Sequence, residues 1–142
     1  MPQQHAETPE VIYNTLTGDT EFMSYVGVQS FGATELDAIS IITPGQDLPG
    51  LTSISGMEVV IHDISDLSRR EYITNEVDIT TKWKVFLVAW DGATGATLSA
   101  AARRIMELFS KAVTIETMPS PEGIGSLMQL MVLISSDSVV TV

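Results

Sequence analysis

DITTKWKVFLVAW, residues 78–90, is the stretch that decides the fold. Its odd positions, Ile79, Thr81, Trp83, Val85, Leu87 and Ala89, are mainly apolar. Its even positions begin polar, with Thr80, Lys82 and Lys84, and turn apolar at Phe86, Val88 and Trp90. Period-two alternation marks a strand, and the change from one-sided to two-sided apolar character predicts a strand that enters the middle of a sheet covered on both faces. It is longer than the usual five or six residues, so its polar first half is expected to project beyond the core as an arm.

Outward from that strand, Met57, Val59 and Ile61 alternate with Glu58 and His62, predicting a partner strand, and Asp63 to Asn75 reads as a polar connection. After Asp91-Gly92, either Thr94 or Thr97 can cap a helix. Leu98, Ala101, Ala102, Ile105, Leu108, Phe109 and Ala112 give that helix an apolar stripe over four turns. Arg103–Glu107 and Glu107–Lys111 are spaced as i, i+4 pairs, and Arg103-Arg104 reads as a solvated face. Thr8-Pro9-Glu10 opens a first helix, and residues 9–26 read as one helix broken near Gly18. Residues 28–56 read as mostly loop around one strand, 38–42, with turns at Pro44-Gly45 and Pro49-Gly50. Beyond Pro119 and Pro121, the length and β-branched end of residues 123–135 favour a buried strand, with a helix as the alternative that Leu and Met leave open, followed by a β-prone tail, Val139 to Val142, that needs an edge to pair with, its own or a neighbour's.

These elements add up to a single α+β domain over 1–142. Its mixed or mainly antiparallel sheet carries a protruding β-hairpin arm at about 63–84 and two flanking helices, with a flexible leader at 1–8 and a tail at 137–142. Trp83, Val85, Leu87, Ile105, Phe109, Leu130 and Val132 are the expected shared core. A chain of 142 residues suffices for one such domain.

Composition narrows the function classes. There is no cysteine, which excludes disulfides, thiolate metal sites and a cysteine nucleophile. Of two histidines, His5 lies in the polar leader, and His62 has no nucleophile near it in sequence and reads as a hydrogen-bonded strand residue. No apolar run reaches the length of a membrane span, and Met1 to Glu10 lacks the features of a secretory signal or transit peptide. Asp91-Gly92-Ala93-Thr94-Gly95 follows a strand and opens a helix but has no lysine, so it reads as a plain turn rather than a phosphate loop. Asp63, Asp66, Glu71, Glu76 and Asp78 match no calcium loop and read as part of a solvated arm. No catalytic, cofactor-binding or metal-binding constellation is expected, so a binding or assembly role is the default.

Charge is unevenly distributed. The net charge is −11. Residues 1–68 hold ten acids and no base, whereas residues 69–111 hold all seven bases against five acids. Such a chain does not bind nucleic acid through bulk electrostatics. The asymmetry fits either a solvated acidic surface that aids solubility or head-to-tail self-association, in which basic and acidic segments of successive subunits meet. Asp66, Arg69, Arg70, Glu71, Lys82 and Lys84 are the candidate oligomer-interface residues, with Arg69 and Arg70 foremost because they lie on the arm.

The order of motifs also matters. Val11 to Leu16, DTEFMSYVG at 19–27, the turns at Pro44-Gly45 and Leu48-Pro49-Gly50, GMEVVIHD at 56–63, TKWKVFLVAW at 81–90 and the alanine-rich helix from Leu98 together resemble the tail terminator, or tail completion, proteins of long-tailed bacteriophages. The resemblance covers roughly residues 9–118 and rests on element order. It implies a structural virion protein that forms a hexameric ring, stops tail-tube polymerisation and joins tail to head or neck. It further implies tail tube and neck or connector proteins as partners, DNA passing through the channel without specific binding, no cofactor, and a place at the tail–neck junction after assembly in the host cytoplasm. Tail tube and head–tail connector proteins are related in shape. An adaptor or assembly chaperone that holds a partner peptide on an exposed strand edge is the alternative.

Overall fold

Thr8 starts the first helix, α1 (Pro9–Thr17), by accepting the Val11 N–H on its hydroxyl. The computed structural model describes residues 8–43, 53–64, 66–71, 76–90, 92–119 and 128–141, with 66–71, 114–119, 128 and 137–141 as backbone only. Ile12 and Leu16, one turn apart, face the core and are fully buried. The break expected near Gly18 is present: Asp19 caps a new short helix, α2 (Thr20–Met23), through the Phe22 N–H. That helix ends earlier than expected, and Val26 already bridges in parallel to Met57.

Residues 28–55 hold more strand than their sequence suggests. They form β1 (Val28–Phe31), β2 (Thr34–Asp37), β3 (Ile39–Ile42) and β4 (Ser53–Ser55). A small antiparallel sheet in the order β2-β1-β4 replaces the expected loop. Only β3 had been legible, because β1, β2 and β4 are short and carry no sustained alternation. They are held by pairing rather than by propensity.

The main sheet adds β5 (Met57–His62), β6 (Asp66–Glu71), β7 (Glu76–Ala89), β8 (Ala112–Pro119) and β9 (Met128–Thr141). Its order is β3-β5-β7-β9-β8, with β6 also paired to β7. Among the strand pairs of this sheet in the described residues, β3–β5 is parallel and the rest are antiparallel. The sheet is therefore mixed and mainly antiparallel, and the protein belongs to the α+β class.

The third helix, α3 (Gly95–Leu108), is capped by Thr94, whose hydroxyl accepts the Thr97 N–H. It stops before Phe109 rather than running to Ala112. Phe109 turns to extended backbone, and Ala112 opens β8, where Val113-Thr114-Ile115 favour a strand. Met57, Val59, Ile61, Val85, Leu87, Ala89, Val132 and Ile134 are buried beneath α1 and α3, together with Ile12, Leu16, Phe22, Leu98 and Ile105. Fully burying each such large apolar side chain contributes roughly 1.5–3 kcal/mol. Six of the seven expected core residues lie in this cluster, and Trp83 packs against it half-buried.

The two sheets meet where Gly27 crosses Gly56. A Cβ on Gly27 would overlap the Ser55 carbonyl oxygen, and Gly56 adopts φ +78°, a left-handed conformation that L side chains rarely take. Gly27 N–H donates to the Met57 carbonyl and Trp90 N–H to the Gly56 carbonyl, which fixes the crossing.

Candidate assembly interface

Strand β7 is the axis of the molecule. Along one edge it pairs without a register shift to β9 for fourteen residues, from Glu76↔Thr141 to Ala89↔Met128. Along the other edge it pairs first with β5, at Ala89 to Val85, and then with β6, at Lys82 to Val77. The pairing jumps by two residues between Ile61↔Val85 and Asp66↔Lys82, so β6 continues the edge that β5 began.

The arm is therefore not a two-stranded hairpin. It is a three-stranded extension, β6-β7-β9, which runs beyond the core cluster for about 23 Å over residues 76–82. The reading of 63–75 as a plain connection missed β6 because DLSRRE carries four charges in six residues; its pairing to β7 makes it a strand. Tail residues Val139, Val140 and Thr141 find their edge within the chain, opposite Asp78, Val77 and Glu76. Val142 lies outside the described residues, as do the turns at Pro44-Gly45 and Pro49-Gly50, Pro121, and the leader up to Glu7.

The register places each candidate interface residue. Asp66 lies opposite Lys82, Arg69 opposite Ile79, Arg70 opposite Asp78 and Glu71 opposite Val77. Successive strand positions alternate between faces, so Arg69 and Arg70 belong to opposite faces of the extension. Lys82 is exposed, whereas Lys84 is half-buried and lies opposite Leu133 on the main sheet. The extension thus gathers Asp66, Arg69, Arg70, Glu71 and Lys82, and leaves Lys84 at its root.

The two faces of the main sheet differ. All described helix packing falls on the face of Val59, Val85, Leu87 and Val132. The opposite face carries Ile42, Val60, Phe86, Val88, Met131 and Leu133, all half-buried, and Val113, which is 56% exposed. Where the sequence led us to expect cover on both faces, no helix lies on this second face among the described residues. The His62 ring packs on Phe86 there, with centroids 4.6 Å apart. Burial, with the Lys84 charge second, holds the His62 pKa below the ordinary imidazole value. Glu58, on the same face, is buried and accepts the Trp90 indole N–H at 2.8 Å; burial pushes its pKa up, against the lowering effect of that hydrogen bond.

The small sheet lies beyond the Met57/Ala89 end of the β5–β7 pair, opposite to the extension. All four β2 residues are exposed, including Leu36 at 52%, and Glu35 and Asp37 flank that leucine.

On the helix side, Arg104 is not a solvated residue. Its guanidinium donates to both Asp19 carboxylate oxygens, at 2.9 and 2.7 Å, and lies near Glu21 and Glu107. The hydrogen bonds from Arg104 and from the Phe22 N–H hold the Asp19 carboxyl down at about 2. This clamp fixes α2 to α3 beside an open groove of about 410 Å³ lined by Glu21, Tyr25, Ser99, Ala100, Arg103 and Glu107. Among the described residues, no three His, Asp or Glu side chains converge as a metal site, and no helix is long and apolar enough to cross a membrane. No family model matches the chain, and no curated protein matches it.

Proposed function

We propose that this protein is a structural subunit of a ring that closes the end of a bacteriophage tail tube, stops tube polymerisation and joins the tail to the head or neck. The observation that carries this reading is the pair of unlike extensions at opposite ends of β5–β7. One is a small sheet whose edge strand exposes Glu35 and Asp37; the other is a three-stranded blade in which four bases, counting Lys84 at its root, stand among the five acids Asp66, Glu71, Glu76, Asp78 and Asp137. Contacts between unlike surfaces on successive copies are heterologous, and they close into rings when the rotation allows. An acidic ring also suits DNA passage, because negative walls repel phosphates. The particular place in the virion is proposed from the resemblance of the sequence to tail terminator proteins.

Negative-stain electron microscopy of the purified protein tests this reading. Six-fold rings with a central opening are the expected result. Isolated monomers would refute it and favour the adaptor that uses a sheet edge, for which the outer strands β3 and β8 are the available sites. Sedimentation velocity of the Arg69→Glu, Arg70→Glu double variant then tests the role of the blade. The ring is expected to break at every salt concentration, and a ring that survives unchanged would remove these arginines from the interface.

A further inference from the structure

We infer that Glu58 and Trp90 form a pH-operated latch at the end of β7. With the carboxyl neutral, the indole is seated over it; with the carboxyl ionised, the indole is released and water reaches the charge. This device belongs to the fold of one chain and stands whether or not copies form a ring. It starts from an anomaly of burial. On the face of the main sheet that no described helix covers, Val60, His62, Phe86 and Val88 of β5 and β7 are half-buried, yet Glu58 among them is only 6% exposed. A carboxyl is the group least suited to such a position, because its charged form loses most on leaving water.

Trp90 is the partner that the structure gives it. Glu58 lies opposite Val88, so Trp90 is its diagonal neighbour on the same face, a spacing within reach of an aromatic ring. The indole N–H donates to the Glu58 carboxylate at 2.8 Å, and among the described residues it is the one hydrogen-bond donor to that side chain. No described cation stands close enough to neutralise the charge. His62 and Lys84 share the face, but each lies four residues along its strand from the Glu58↔Val88 pair, roughly 13 Å away. The neighbouring strands place Ser40, Ile42 and Gln129 there, all uncharged. Glu116 stands further across the sheet, opposite Met131, and Asp37 at the end of β2 is exposed. Asp91, which follows Trp90, lies outside the described residues. Burial therefore leads, and it pushes the Glu58 pKa up over the lowering effect of the indole bond.

Trp90 is also placed to move. It is half-buried and stands just past the paired end of β7, where the chain turns toward α3. Its backbone is held on both sides: the N–H donates to the Gly56 carbonyl and the carbonyl accepts from the Ala93 N–H, each at 3.0 Å. Swinging the side chain outward leaves these bonds and the strand pairing in place. Release gives up one hydrogen bond and some ring burial, and in return it hydrates a carboxylate that has no counter-charge. A neutral carboxyl offers no such return, so the indole stays seated. The two protonation states thus favour different positions of one side chain, and rising pH shifts the population toward the released one.

Trp83 and Trp90 are the two tryptophans of the chain, so Trp83→Phe leaves Trp90 as the sole indole reporter. In that variant the pH is raised from about 4 to about 8 while far-UV circular dichroism checks that the fold is unchanged. The emission maximum is expected to shift to the red and acrylamide quenching to rise, with a midpoint above 4.5. Adding Glu58→Gln, which keeps an oxygen acceptor without the charge, is expected to hold the blue-shifted, poorly quenched emission across the whole range. Adding His62→Gln is expected to leave the transition in place. Emission of Trp83→Phe that does not respond to pH would overturn the latch. A transition that survives Glu58→Gln, or one that vanishes with His62→Gln, would overturn it as well, since another group would then be titrating. If Trp83→Phe does not fold, wild type is compared with Glu58→Gln alone: a pH-dependent difference in their emission supports the latch, and identical titrations overturn it.

Discussion

Two faces of one sheet carry apolar side chains, and among the described residues helices cover one of them. On β7, Val85, Leu87 and Ala89 are fully buried beneath α1 and α3, while Phe86 and Val88, one residue away, stay half-buried. Along a strand, adjacent residues share backbone, propensity and partners, so the difference arises from layering. The described helices pack on one face, and among the described residues no helix lies on the opposite one. Apolar side chains in a row on a face without described cover are the feature that the proposed association would use.

The largest expected break in this comparison is on the covered side. Leu87→Ala should cost on the order of 2–5 kcal/mol in chemical denaturation, through lost burial and the cavity left behind. Val88→Ala should cost the monomer roughly 0.8 kcal/mol, since a half-buried side chain forfeits about half of its transfer energy. Equal costs at the two positions would show that the second face is covered as tightly as the first.

The acid limb of the stability curve reads the helix side next. The Asp19 carboxyl is held at about 2 in the folded chain against 3.8 without partners. Its contribution is present above 3.8 and is lost as pH falls through about 2. Arg104→Ala should lower stability at neutral pH and flatten this loss between about 4 and 2. An unchanged acid limb in that variant would mean that the clamp does not hold α2 to α3. On the other face the sign reverses. Burial raises the Glu58 pKa, so ionisation disfavours the folded state as pH rises above 4.5. Glu58→Gln keeps an acceptor for the Trp90 indole, and it should gain stability at neutral pH with the gain vanishing below 4.5. A gain that persists in acid would rule out titration as its cause.

The smallest effect on stability should come from Val113→Glu, within about 0.5 kcal/mol for the monomer, as expected of an exposed position. The same substitution should remove the assembly, which separates folding from association on one residue.

The features that were legible in the sequence are those with local periodicity. The alternation of residues 78–90 and the i, i+3, i+4 stripe from Leu98 to Ile105 gave the sheet, the helix and the shared core. Strands that exist only through a partner were not legible. VQSF, TELD and SIS have no core-facing alternation, and they depend on the Gly27–Gly56 crossing, which joins residues 29 positions apart. The Asp19–Arg104 clamp spans 85 positions, and nothing local in either residue announces the other. Two-sided apolar character in Phe86 and Val88 was visible, but periodicity says only that a face wants cover. Whether the cover is part of the same chain depends on how many helices the chain has and which face they reach. The interface candidates were chosen by charge and position; the register brings most of them onto one extension but divides Arg69 and Arg70 between its faces.

Native mass spectrometry of the full chain tests most directly the claim that this protein completes itself by head-to-tail association. The account predicts a dominant species of six copies in wild type and a monomer in Val113→Glu. A wild-type protein that stays monomeric, or a Val113→Glu variant that still forms the six-copy species, would contradict it.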